Sequence, residues 1–588
     1  MLISKAPLFT KNRERGFSLI EAVLAVSLFS LILLVLISAI IYGRESIALS
    51  GSRSRAILIA EEGQEVLRNL RDEKFANLPD GVYGLATSSN QWILSGASDK
   101  TDIFTRRIQI GTLSGHIKIA TTTVTWQPKE GRSGQITLTS YLTQWRRERG
   151  GMLVYADRAT VNDQISYRVL DPDNLTWETA SSTADVDNNP ALTNKTPRAV
   201  QVYSSATRNE KVMLSRHYDG SIQYIYAQVW NGISWGNVVQ LSTWNNNTFL
   251  DVQNFSGTYL ANGNFMVVYS DNSATPKFRI WNGSVWSAQV SMPNLSANGS
   301  GIPNFIVAKA RPGTNEVMAA FFDRSSDTNT MYFNGDAYTT TNWTLHARHS
   351  GVAPVATKWL VDFVWSPNTA TKGALIFSDS STDKTLALRI WTANGAGSGS
   401  WSAIVNSAAS GGRLGAMAID GRRGADEFLA CQKGANNDIY CFRGNATLLW
   451  APPMNNILTA TSRTGVQRSF DLAYESATGN LGLAVYSDNT ATPKYRKYDP
   501  STNAFDPTAS SITVTGGGVL STVRLIPQPD ADDIMILMGD ANNDLRSIVW
   551  NGTSDTLYTT PSGKTLNLHG VSGSATTDFW YDFAWDKF

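Results

Sequence analysis

Charge is scarce in this chain. Only 17% of its 588 residues are Asp, Glu, Lys or Arg, and they balance to +1, so no basic surface marks it for a nucleic acid or another polyanion. Histidine is scarcer still. Of the five, His116, His217, His346, His349 and His569, only the pair in H-A-R-H stands close together, and it would hold a metal only with a third ligand from elsewhere. The histidines therefore read as surface polar residues. There is no glycine-rich phosphate loop, no G-x-S-x-G elbow and no zinc spacing. No catalytic residue, metal ligand or cofactor is assigned. Cysteine occurs twice, Cys431 and Cys441, in short apolar runs on either side of the turn-like K-G-A-N-N-D. The two could face each other across a hairpin and bond in an oxidising compartment, or remain buried free thiols.

What the chain does have begins near its start. Phe17 to Tyr42 is apolar apart from Glu21 and a few serines, longer than the roughly 20 residues a membrane-spanning helix needs. A short leader with Lys5, Lys11, Arg13 and Arg15 precedes it, and the run starts abruptly after Arg15-Gly16. A secretory signal would place its small-residue cleavage site beyond the apolar core, and no A-x-A-like site follows Ala39.

R-G followed by F-S-L-I-E resembles the class III signal of type IV pilins and type II secretion pseudopilins. The resemblance covers about the first quarter of the chain. It implies that a prepilin peptidase cuts after Gly16 and that Phe17 becomes the N-methylated first residue. It also implies that Glu21, the fifth mature residue, pairs with the α-amino group of a neighbouring subunit. A carboxylate near the bilayer core costs about 2.5 kcal/mol or more and persists where it finds a partner. The plainer alternative is a membrane anchor whose glutamate lies near the interface.

Beyond Tyr42 the helical pattern continues to Phe75, with Ile59, Gly63, Val66, Leu67 and Leu70 on one stripe and Glu61, Glu62, Glu65, Arg68 and Arg71 on the other faces. Leu78-Pro79-Asp80-Gly81 ends it. Strand patterns follow at Gln91–Leu94, Phe104–Gly111, His116–Trp126 and Gly134–Leu142. A long helix on a small antiparallel sheet is the head that the resemblance leads one to expect.

After Arg149-Gly150-Gly151 the texture changes to short strands and turns. One copy of a repeat reads N-F-M-V-V-Y-S-D-N-S-A-T-P-K-F-R-I-W-N-G, another N-L-G-L-A-V-Y-S-D-N-T-A-T-P-K-Y-R-K-Y-D-P. Third strands end at Leu170, Trp230, Trp281, Phe333, Trp391, Phe442, Tyr498 and Trp550, the spacing of four-stranded propeller blades with loop insertions. Eight copies result. The first lacks its leading strand and the chain ends on a spare one, D-F-W-Y-D-F-A-W-D, so residues 577–587 are expected to complete the first blade and remove an open edge. Two stacked sandwiches would not explain that reciprocal deficit.

Asp157, Asp219, Asp271, Asp323, Asp379, Asp488 and Asp540 follow second strands, where an aspartate caps a turn by accepting backbone N–H groups. Calcium is the competing reading, but the turns lack a calcium loop's alternating carboxylates. Trp230 with Trp235, and Trp281 with Trp286, lie across W-N-G-x-x-W turns. Their indoles could stack on sugars or simply pack the blades.

The expected order is therefore leader peptide 1–16, transmembrane assembly helix 17–42, pilin-like head 43–149 and β-propeller 150–588. Such a chain would insert as a single pass in the cytoplasmic membrane with its C-terminal domain outside, then move to a pilus or the cell surface. The implied partners are the prepilin peptidase, other pilin or pseudopilin subunits and membrane lipid before assembly. The propeller would act as an adhesin-like module for a glycan or cell-surface protein at a tip or low-copy position. A structural cap or initiating subunit without a ligand is the second reading, and a propeller hydrolase, lacking paired carboxylates or a nucleophile, is the third.

Overall fold

The computed structural model describes residues 18–587 apart from 74, 89–90, 115–116, 130–131, 144–149, 158–163, 172–176, 178–193, 246–251, 300, 351–359, 379–383, 396, 410–413, 446–449, 453–455, 466, 515–516, 553, 558–565 and 569–579. Two compact units divide the chain, residues 1–147 and 148–588.

In the first unit one unbroken helix runs Leu19–Glu73 over 55 residues. Its opening half is long and apolar enough to cross a membrane, and its leucines, isoleucines and valines are exposed. The second half buries Ala56, Ile59, Ala60, Val66, Leu67 and Leu70. They pack on a sheet ordered Gln91–Ser95, Gly81–Ser88, Phe104–Ser114, Ile117–Lys129, Arg132–Thr143, with Asp99–Thr101 beside Phe104–Ser114. Gly63 lets the helix come close, since a Cβ there would meet Thr122 Cγ2 at 3.0 Å.

Two buried polar side chains fix the helix on the sheet. Gln64 donates to Thr122 Oγ1 and to the Leu138 carbonyl, both at 3.1 Å, and accepts from the Ser140 hydroxyl. Arg106 donates to the Ile59 carbonyl, Glu62 and Asp99. Buried groups left without such partners would cost more than the bonds themselves contribute.

The second unit holds eight antiparallel sheets among the described residues. Three are four-stranded, four are five-stranded because a second short strand also pairs with the third, and one is three-stranded. The leading strands lie side by side in chain order: Thr196–Ser204, Phe255–Tyr259, Pro303–Ala310, Val361–Trp365, Leu414–Gly421, Phe470–Tyr474, Leu520–Pro527 and Tyr581–Trp585. The last lies against both Leu520–Pro527 and Thr196–Ser204. It also pairs with Gly151–Asp157, which pairs in turn with Gln164–Leu170. The C-terminal strand thus leads the sheet that the chain began more than four hundred residues earlier.

Leading strands alternate between two kinds. Thr196–Ser204, Pro303–Ala310, Leu414–Gly421 and Leu520–Pro527 have 9, 8, 8 and 8 residues. Their ladders to the second strand slip, at Arg216, Pro303, Leu414 and Leu520. The four between them have 5 residues each and pair without a slip. A bulge adds local twist, so the structural repeat is a pair of sheets. The last residue of the short strands alternates too. Tyr259 and Tyr474 donate their hydroxyls to Glu210 and Glu427 of the preceding sheet, whereas Trp365 and Trp585 donate their indole N–H to the Lys309 and Ile526 carbonyls.

Candidate functional site

Gly16 and Phe17 lie outside the described residues. Glu21 sits in the first helical turn. Its Oε2 accepts the Ser18 N–H at 3.1 Å while Ser18 Oγ accepts the Ile20 N–H at 3.3 Å, so S-L-I-E also serves as a helix-starting box that draws the carboxylate toward the N-terminus.

Cys431 and Cys441 are directly opposed on adjacent strands, buried and joined as a disulfide. The recurring aspartates cap their turns. Asp219 Oδ1 accepts the N–H of Ser221 and Ile222, Asp271 that of Ser273, and Asp488 that of Thr490. Asp323 accepts from Ser325, Asp327 and Gly301. Asp540 accepts from Asn542, Asp544 and Gly518, and also from the guanidinium of Arg546, which reaches Asp544 as well. In that turn the cation is the chain's own. Asp157 accepts from Ser166; Asp379 lies outside the described residues. Among the described residues no group of three or more His, Cys, Asp or Glu is placed to hold a metal ion.

The tryptophan pairs are two members of a wider set. Trp230 and Trp235 have ring centroids 5.7 Å apart, Trp281 and Trp286 5.5 Å. The same cross-strand position holds Phe333 with Trp343, Trp391 with Trp401 and Tyr498 with Phe505, while Phe442 meets Trp450 on the diagonal. A contact repeated in sheet after sheet packs each third strand against the segment that follows it. Trp281 is buried with its N–H given to Glu210, and Trp286 donates to the Asn237 carbonyl. Trp230, Trp235 and Trp286 remain half-buried.

The histidines differ from the surface residues expected. His217 is fully buried, bonded to Ser215 and the Lys195 carbonyl. His346 lies against Trp391, and His349 stacks on Phe377 within reach of Arg389. Burial, and then the Arg389 charge, lower both to about 4, so they are neutral at pH 7. His116 and His569 lie outside the described residues.

Sequence reasoning missed a constellation on the leading strands. Asp420, Asp471 and Asp582 each accept a backbone N–H from the next leading strand, those of Tyr474, Leu525 and Val202 at 2.8 to 3.0 Å. Arg524 pairs with Asp582 at 2.7 Å, and Arg468 with Asp471. Asp362 and the exposed Lys309 belong to the same electrostatic group. Burial holds the carboxyls of Asp362 and Asp582 above their ordinary range and pushes Asp420 to about 7. The available signal was a lone aspartate inside an apolar strand, as in L-V-D-F-V-W, S-F-D-L-A-Y and W-Y-D-F-A-W. These carboxylates pin neighbouring sheets to one another.

Residues 11–37 match the prokaryotic N-terminal methylation motif. No curated protein sequence matches the chain. Among solved structures, it is similar to the BP39L lectin of Burkholderia pseudomallei, at 11% identity over 62% of this chain and 98% of that one, with a TM-score of 0.41. The periplasmic gluconolactonase PpgL of Pseudomonas aeruginosa gives 12% identity, 66% and 99% coverage and a TM-score of 0.39. The β-propeller domain of the Trilobed protease of Pyrococcus furiosus gives 6%, 64%, 100% and 0.34.

Proposed function

We propose that this chain is a minor type IV pilin or pseudopilin that carries a β-propeller as an extracytoplasmic binding module. The observation that carries the first half is continuity: the methylation motif at residues 11–37 runs into a single helix, Leu19–Glu73, whose far half packs on a small antiparallel sheet. In this reading the prepilin peptidase cuts after Gly16, Phe17 is methylated, and Glu21 docks on a neighbouring subunit. The chain waits in the cytoplasmic membrane until it enters a filament.

The eight sheets are read as eight blades in a ring closed by Tyr581–Trp585, supported by the unbroken neighbour relation of leading strands, Tyr581–Trp585 against Thr196–Ser204 included. A unit of more than 400 residues at every position would crowd a helical shaft, which favours a tip or low-copy place. Its outward role is adhesion to a glycan or cell-surface protein rather than hydrolysis. The test is a screen of the full-length chain, held in nanodiscs, against glycan arrays and cell-surface proteins. Saturable binding that survives Glu21→Ala supports the binding module. A screen in which nothing binds moves the function to the structural cap.

A further inference from the structure

The linker enters the second unit at Gly150-Gly151, the same corner where the chain ends. Gly151 pairs with Trp585, and the Asp586 N–H donates to the Gly150 carbonyl at 2.8 Å. The strand that follows the linker, Gly151–Asp157, has a ladder on each side: Tyr581–Trp585 on one and Gln164–Leu170 on the other. Had the C-terminal strand been placed elsewhere, the strand first met by tension would be a sheet edge, free to peel one bond at a time. Here both ladders must part together.

The same C-terminal strand is tied to the sheets on either side. Asp582 accepts the Val202 N–H, and the buried ammonium of Lys211 pairs with Asp586. Toward the other neighbour, Tyr581 Oη accepts the Gly539 N–H, Arg524 pairs with Asp582, and Trp585 donates to the Ile526 carbonyl. A pull on Gly150 is therefore shared by three sheets.

We propose that Tyr581–Asp586 is a load-bearing clasp, which keeps the C-terminal unit folded when the N-terminal helix is pulled against something held on that unit. The purpose of such a device rests on the filament reading above; its mechanics do not. The test holds the full-length chain by its N-terminal helix and by a bio-orthogonal handle at position 233, where Ile233 is 84% exposed, and records lifetimes under constant force. Two variants are compared with the parent. Lys211→Met leaves the partly buried Asp586 without its ammonium and is expected to shorten the lifetime of the C-terminal unit at least ~10-fold. Met152→Cys with Ala584→Cys joins two directly paired residues, and its oxidised form is expected to outlast the parent by ~10-fold or more, an advantage lost on reduction relative to reduced parent. If Lys211→Met does not fold, the stapled variant decides alone. A staple that leaves the first rupture unchanged overturns the proposal, whether or not the chain proves to be processed as a pilin.

Discussion

Asp582 accepts the backbone N–H of Val202 at 3.0 Å across 380 residues of sequence, joining the chain's last strand to the first complete sheet. Deleting residues 577–588 removes this bond with the buried side chains of Trp580, Tyr581, Phe583 and Trp585. Each is worth roughly 1.5 to 3 kcal/mol, against a total stability of ~5 to 15 kcal/mol. The truncated chain should aggregate, or melt far below the parent by differential scanning calorimetry. An unchanged melting temperature would contradict the closed ring.

Acid should loosen the C-terminal unit at His346 and His349. Both are held near 4 when folded and return to about 6.5 when unfolded. Their contribution is complete above pH 6.5 and is lost as pH falls toward 4, by ~2 kcal/mol apiece after allowing for partial exposure. Urea melts of His346→Gln with His349→Gln should show a flatter stability profile across that window.

Asp420 works in the opposite sense. Burial raises its carboxyl from 3.8 to about 7, so its contribution is complete below pH 3.8 and is lost as pH rises to 7. Asp420→Asn keeps an acceptor for the Tyr474 N–H without the charge. Relative to the parent it should gain stability between pH 4 and 7 by ~1 kcal/mol or more. A variant whose stability relative to the parent instead falls as pH rises from 4 to 7 would show that the charged carboxylate is stabilising.

Glu21→Ala should insert in the membrane as well as the parent, since the change only makes the helix more apolar. It should enter filaments poorly, because the neighbouring α-amino group loses its counter-charge. Normal incorporation, scored by immunoblot of sheared filaments, would remove the docking role from Glu21.

The sequence made the long helix and the repeat legible because each depends on a local pattern: an apolar run that turns amphipathic, and an aromatic residue near the end of seven of the eight third strands. The two-sheet period was not legible, since it resides in bulges and leading-strand lengths that no turn residue announces. The breaker cluster closes at Gly81 and no strand pattern marks residues 82–88, yet Gly81–Ser88 is a strand. Its Gly84 stands where a Cβ would come within 2.3 Å of the Ser98 backbone, a close approach visible only in three dimensions. The burial of His346 and His349 was hidden for a similar reason: Phe377, Arg389 and Trp391, which surround them, belong to the next sheet. The spare strand at the C-terminus was legible, but its bonds to sheets on both sides were not.

The assignment of this chain as a pilin-type subunit is tested most directly at its mature N-terminus. Intact-mass and N-terminal peptide spectra of the protein from its native membrane should show N-methylated Phe17 as the first residue, and replacing Gly16 with a bulky residue should leave the leader attached. An N-terminus anywhere other than Phe17, or a leader that stays on the unaltered protein, would contradict it.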